Sequence, residues 1–127
     1  MNYLVEQLRN RLFAFDDKTI EVIKHGKTEG WRFYYRNNVS FLYVSERRNK
    51  LVVFIKAQPT ELDDPRQVAD WFRHYGLMES TFDVHDNDEI KYAMSLIKQA
   101  YYLDKGRKYS AFTTDNSWIV KKGEISG

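Results

Sequence analysis

The fold turns on one stretch: Gly30-Trp31-Arg32-Phe33-Tyr34-Tyr35-Arg36-Asn37-Asn38-Val39-Ser40-Phe41-Leu42-Tyr43-Val44-Ser45-Glu46-Arg47-Arg48-Asn49-Lys50-Leu51-Val52-Val53-Phe54-Ile55-Lys56-Ala57. Trp31 to Arg36 is dense in aromatic residues, which suit a pleated surface. Asn37-Asn38 follows, and asparagine tolerates the positive φ of a two-residue hairpin turn. Val39 to Glu46 and Leu51 to Lys56 read as two more strands, separated by the polar break Arg47-Arg48-Asn49-Lys50. Turn length sets register. The first turn pairs Arg36 with Val39, Tyr34 with Phe41 and Arg32 with Tyr43. The second pairs Glu46 with Leu51, Val44 with Val53 and Leu42 with Ile55.

Side chains alternate across a strand, so this register yields two faces. One carries Trp31, Phe33, Tyr35, Leu42, Val44, Leu51, Val53 and Ile55, with no charge, and is the expected core. The other carries Arg32, Tyr34, Arg36, Phe41, Tyr43, Ser45, Val52, Phe54 and Lys56, a mixture of rings and cations.

The chain has 127 residues, enough for one domain with one core. Aromatic content is 16% and net charge only +2, so any basic patch must be local. There is no cysteine, which removes disulfides, thiolate metal sites and thiol nucleophiles. That composition suits a reducing cytoplasm. No apolar run reaches the length of a membrane span, and Met1-Asn2-Tyr3-Leu4 lacks the features of a secretory leader.

Outward from the strands, residues 2–14 read as a helix. Leu4, Leu8 and Leu12 recur every fourth residue, Val5 and Phe13 widen the stripe, and Arg9 and Arg11 fall outside it. Thr19 to Lys24 reads as a strand with Ile20 and Val22 on one side. Gln58 to Pro65 is a loop. Arg66 to Tyr75 reads as a helix that Gly76 ends. Ser80 to His85 is a strand with Phe82 and Val84 sharing a face. Asp86 caps a helix over residues 87–102, and Glu89 is placed to return a hydrogen bond. Ile90, Ala93, Met94, Ile97, Ala100 and Tyr101 form its buried stripe. Residues 105–127 read as an extension outside the domain of residues 1–104, either a short hairpin from Tyr109-Ser110-Ala111-Phe112 to Trp118-Ile119-Val120 or a partly disordered end.

Three segments together resemble a known family: Leu51 to Lys56, Leu62-Asp63-Asp64-Pro65-Arg66, and Tyr92 to Tyr101 ending in Leu96-Ile97-Lys98-Gln99-Ala100-Tyr101. They are similar to a bacterial domain family of unknown function loosely labelled "predicted transport protein". Its members often form the last domain of longer proteins, some in restriction or defence settings. The resemblance spans Leu4 to Tyr102. It implies a small α+β fold with no assured catalytic residue. The chain departs where the family shows a glycine-rich stretch: here Gly76 stands among Trp71, Phe72, His74 and Tyr75. The transport label finds no membrane segment to support it.

The ring-and-cation face is the leading site. Exposed rings stack on bases for about 1–3 kcal/mol each, and adjacent cations hold phosphates. Tyr34, Phe41, Tyr43 and Phe54 would form the platform, with Arg32, Arg36 and Lys56 as anion contacts and Arg47, Arg48 and Lys50 extending the path. The plainer reading is that this face is covered by the tail, by the Trp71-Phe72 segment or by a second copy, since large exposed aromatic patches are rare on monomers. Asp83, His85, Asp86, Asp88 and Glu89 offer ligands for Mg²⁺ or Mn²⁺, and a weaker alternative is a metal-dependent hydrolase there. The plainer reading has Asp86 capping a helix and the other acids favouring its positive end. Glu21 with Lys24, and Glu89 with Lys91, lack the geometry of a nuclease pair. His74 reads as a surface histidine, and His25 sits in a loop. Phosphate-loop, hydrolase, metalloprotease and dinucleotide motifs are absent.

The expectation is a two-layer α+β domain. A mainly antiparallel sheet of four or five strands carries the helices near 2–14 and 87–102 on its aliphatic face. Its expected function is non-enzymatic binding of nucleic acid or a nucleotide, with phage defence or counter-defence as the setting that the resemblance implies. The alternative is homodimerisation or protein interaction through the same face. No cofactor, metal or catalytic residue is assigned.

Overall fold

The computed structural model describes residues 3–25, 30–36, 39–72, 78–103 and 119–121. The elements run α1 (Tyr3–Phe15), β1 (Ile20–His25), β2 (Gly30–Arg36), β3 (Val39–Glu46), β4 (Leu51–Ile55), a 3-10 turn (Pro59–Glu61), β5 (Asp70–Trp71), β6 (Ser80–Val84), α2 (Asn87–Tyr102) and β7 (Ile119–Lys121). The strands form one antiparallel sheet in the order β5-β6-β4-β3-β2-β1-β7, so it has more strands than expected. Both helices pack on one face, as an α+β layer architecture requires.

The helical periodicity sorts α1 and α2 as read. Leu4, Val5, Leu8, Leu12 and Phe13 of α1 are buried. So are Ile90, Ala93, Met94, Ile97 and Ala100 of α2, joined by Leu96. They meet Leu42, Val44, Leu51, Val53, Ile55, Phe82 and Val84 in the main core. Burying each large aliphatic side chain stabilises by about 1.5–3 kcal/mol before entropy is subtracted. Asp86 caps α2, its side chain accepting from Glu89 N at 2.8 Å. The Glu89 carboxylate bonds one residue earlier than a capping box would, accepting from His85 N at 2.7 Å. No helix among the described residues is long and apolar enough to cross a membrane.

The β3–β4 register is the one that the polar break dictates: Leu42 faces Ile55, Val44 faces Val53 and Glu46 faces Leu51. The β2–β3 register is not. Arg36 pairs with Val39, but a bulge follows and Tyr34 pairs with Leu42, Phe33 with Tyr43 and Arg32 with Val44. One extra residue in β3 reverses the facing of everything beyond it. Lys56 N closes the bulge by donating to the Phe41 carbonyl at 3.3 Å. Arg32 and Tyr34 therefore join Leu42 and Val44 on the helix-packed face. Trp31, Phe33 and Tyr35 move to the opposite face, where Phe33, Tyr35, Val22, Tyr43, Phe54 and Met78 form a second buried cluster, with Ile20, Trp31, Val52 and Phe72 packed against it. The turn residues Asn37 and Asn38 lie outside the described residues.

One further expectation is corrected. The helix read over Arg66 to Tyr75 is not formed across its described part. Gln67 sits at φ 54, in the left-handed region, and Asp70 and Trp71 pair with Thr81 and Ser80 as β5. Residues 73–77, including His74, Tyr75 and Gly76, lie outside the described residues. In the tail, Ile119–Lys121 pairs with Ile20–Val22 and extends the main sheet. Its proposed partner Tyr109–Phe112, Trp118 and the last residues lie outside the described residues.

Candidate functional site

The Asp63-Asp64-Pro65-Arg66 loop is clasped to α2. Gln99 holds the Asp63 backbone from both sides: its Oε1 accepts from Asp63 N at 2.7 Å and its Nε2 donates to Asp63 O at 3.0 Å. Asp64 accepts from Ala69 N at 2.9 Å and from the Tyr92 hydroxyl. The same hydroxyl accepts from Arg66 N at 3.0 Å. Arg66 then lies over the Tyr92 ring, 4.5 Å from its centre, and reaches Asp88 at 3.4 Å. Burial would raise the Asp64 carboxyl. Hydrogen bonds from the Tyr92 hydroxyl and from the N–H groups of Ala69, Val68 and Gln67 outweigh it and hold the group below its ordinary 3.8. Burial, then Asp64, push the Tyr92 hydroxyl above its ordinary 10.0.

This clasp shapes a cleft. β5 is two residues long and covers only Ser80 and Thr81 of β6. Before that, Asp64 holds Ala69 N and draws the chain toward α2. Among the described residues no strand pairs with Phe82–Val84 on the side away from β4. A cleft of about 380 Å³ opens there, lined by Arg66, Val68, Asp70, Thr81, Phe82, Asp83, His85, Glu89, Tyr92 and Ala93.

The residues assigned to a ring-and-cation face do not share one. Arg32 and Tyr34 are buried on the helix side, where both bond the Glu21 carboxylate: Tyr34 Oη donates at 2.7 Å and Arg32 Nη1 at 3.3 Å. Arg9, read as lying outside the α1 stripe, reaches inward and donates to both Glu21 oxygens, at 2.8 and 3.0 Å. Glu21 is 0% exposed and Arg32 only 4%. Burial first, then the Glu21 charge, push the Tyr34 hydroxyl well above its ordinary 10.0. Phe41 packs edge-on against Tyr101, and Arg36 lies 4.6 Å from the centre of that same ring. Tyr43 and Phe54 are buried on the other face, with Phe54 stacked on Trp31 and tilted against Phe72. Lys56 is buried beside the bulge. Arg47 and Arg48 alone of the nine are exposed, at the β3–β4 turn, where Arg47 Nε donates to Ser45 Oγ at 2.8 Å.

The acid-rich segment around the start of α2 is divided among other partners. Asp83 pairs with Lys50 at 2.8 Å, Asp86 caps the helix, Asp88 meets Arg66, and Glu89 lies 3.0 Å from His85 Nδ1. Among the described residues no three His, Asp or Glu side chains are arranged to hold a metal ion.

No family model, curated protein or solved structure matches this chain. The site is therefore read from its own geometry. Of its lining, Arg66, Tyr92 and Ala93 fall in the quoted Leu62–Arg66 and Tyr92–Tyr101 segments, and Arg66 and Tyr92 take part in the clasp. Nothing in the sequence announced that Val68, Asp70, Thr81 and Phe82 would line a cleft, because Arg66 to Tyr75 carries a helix-like pattern.

Proposed function

We propose that this chain is a non-enzymatic binding domain that accepts an extended peptide segment along β6 beyond the end of β5. The supporting observation is that among the described residues no strand pairs with Phe82–Val84 on the side away from β4, beside a cleft held apart by the Asp64–Ala69–Tyr92 clasp. A sheet edge offers unpaired N–H and C=O groups, and an added strand satisfies them while its alternate side chains enter flanking pockets. A labelled six-residue peptide alternating valine and threonine should bind with measurable anisotropy change. Val68→Trp, at a half-buried lining position, should weaken that binding about tenfold or more by filling the cleft. Its failure to bind, together with a light-scattering mass showing that no second copy occupies the edge, would refute the reading. A dimer lost in Val68→Trp would make a second copy the occupant.

A nucleic-acid reading keeps one observation in its favour. Arg47 and Arg48 are exposed at the end of the sheet where half-buried Trp31 sits opposite Ser45. Single-stranded oligonucleotide binding should then fall with salt, and the double variant Arg47→Ala/Arg48→Ala should flatten that slope. An affinity that is salt-independent would exclude it.

A further inference from the structure

We infer that the segment accepted by β6 alternates apolar and basic side chains, with the apolar set toward the helices and the basic set toward the opposite face. This rests on the edge-docking reading above and adds the chemistry of the partner. The two walls of the cleft differ in kind because they belong to opposite faces of the sheet. Phe82 pairs with Val53 and faces the helices. With Val68, Ala93 and the Tyr92 ring it makes an apolar wall. Arg66 rims that wall, paired with Asp88 and lying over Tyr92, so its charge disfavours a second cation there. Thr81 and Asp83 point to the other face, and Asp70, the cross-strand partner of Thr81, joins them. Asp70 is exposed, and Asp83 keeps 40% of its side-chain surface while holding Lys50.

A strand laid along Phe82–Val84 in continuation of β5 must alternate between these walls. The residue opposite Phe82 enters the apolar wall. The place opposite Thr81 is taken by Asp70, so the adjoining residue of the segment falls opposite Asp83 and two positions from Asp70 on the same face, where a lysine or arginine gains carboxylates and an acid meets like charge. A segment with its apolar and basic residues out of phase puts a cation against Phe82 and Arg66.

Three labelled peptides separate the inference from the reading beneath it: valine alternating with lysine, with threonine and with glutamate. A fourth carries the valines and lysines in two blocks. The alternating lysine peptide should bind about fivefold more tightly than the threonine peptide, and the glutamate peptide more weakly than either, with the spread shrinking at high salt. Asp70→Lys should reverse the lysine–glutamate order. Equal binding of the three alternating peptides refutes the charge preference and leaves edge docking standing. Equal binding of the alternating and blocked lysine peptides refutes the alternation. Binding by none of the four removes both the inference and the reading it rests on.

Discussion

Replacing Glu21 by glutamine tests what fastens α1 to the sheet. The carboxylate is fully buried and receives two hydrogen bonds from Arg9, one from Arg32 and one from Tyr34. A hydrogen bond to a charged group nets roughly 1.5–3 kcal/mol, so simple addition would give about 6–12 kcal/mol. Two facts reduce that sum. Arg9 keeps 20% of its side-chain surface and regains water when released. The glutamine oxygen also retains some of the bonds. What persists is the Arg32 guanidinium, 5% exposed, with Glu46 at 3.5 Å to offset its charge. Its Nε has no hydrogen-bond partner among the described residues. Removing one partner of a buried ion pair costs about 3–5 kcal/mol, about a fifth or more of the roughly 5–15 kcal/mol that holds a domain of ordinary stability together. Urea unfolding followed by circular dichroism should show the midpoint falling by about 2–3 M at an ordinary slope. The triple variant Glu21→Met/Arg32→Met/Tyr34→Phe should recover most of the loss, since apolar groups of like volume leave no charge stranded. A Glu21→Gln loss below about 1 kcal/mol would refute the assignment of this network as the fastening of α1.

Three further outcomes follow from named contacts. The Tyr34 hydroxyl titrates well above 10.0 in the fold, so the folded state keeps a proton that the unfolded chain releases. Stability should be full below pH 10 and decline as pH rises beyond it, and Tyr34→Phe should flatten that alkaline limb; an unchanged limb in the variant would contradict the burial of this hydroxyl. Asp64→Ala removes the acceptor for Ala69 N and Tyr92 Oη, and should cost about 1–3 kcal/mol while speeding hydrogen exchange at Ala69; an unaltered exchange rate would mean that the clasp does not hold the loop. Asp86→Ala removes the cap on Glu89 N and should cost about 1 kcal/mol in thermal or urea unfolding, with a stabilising result counting against the cap.

Local signals were legible wherever one residue type answers one local demand. The cap Asp86, the α2 stripe from Ile90 to Ala100 and the β3–β4 register set by Arg47 to Lys50 all follow from periodicity and turn length. The two failures share a cause. The extra residue at Phe41 carries no local mark, because an aromatic residue suits either strand face and the pairing that settles it lies across the sheet and against Tyr101. The segment from Arg66 to Trp71 has an apolar pattern compatible with a helix, yet Gln67 takes a left-handed backbone and Asp64 and Tyr92 hold the chain elsewhere. Propensity is a weak prior, and contacts from distant residues override it.

Residue order alone was enough to specify an α+β chain with two amphipathic helices and a sheet whose β3 and β4 segments expose aliphatic groups to them, because helix and strand periods are properties of consecutive residues. Which cations and rings share a face was decided only in three dimensions. A single bulge turned Arg32 and Tyr34 inward onto Glu21 and sent Trp31 and Phe33 to the opposite face. The cleft is likewise a product of assembly. It exists because a loop is held to α2 at Asp64 and Gln99 while β5 begins only at Asp70, and an open strand edge is a relation between segments that no single segment contains.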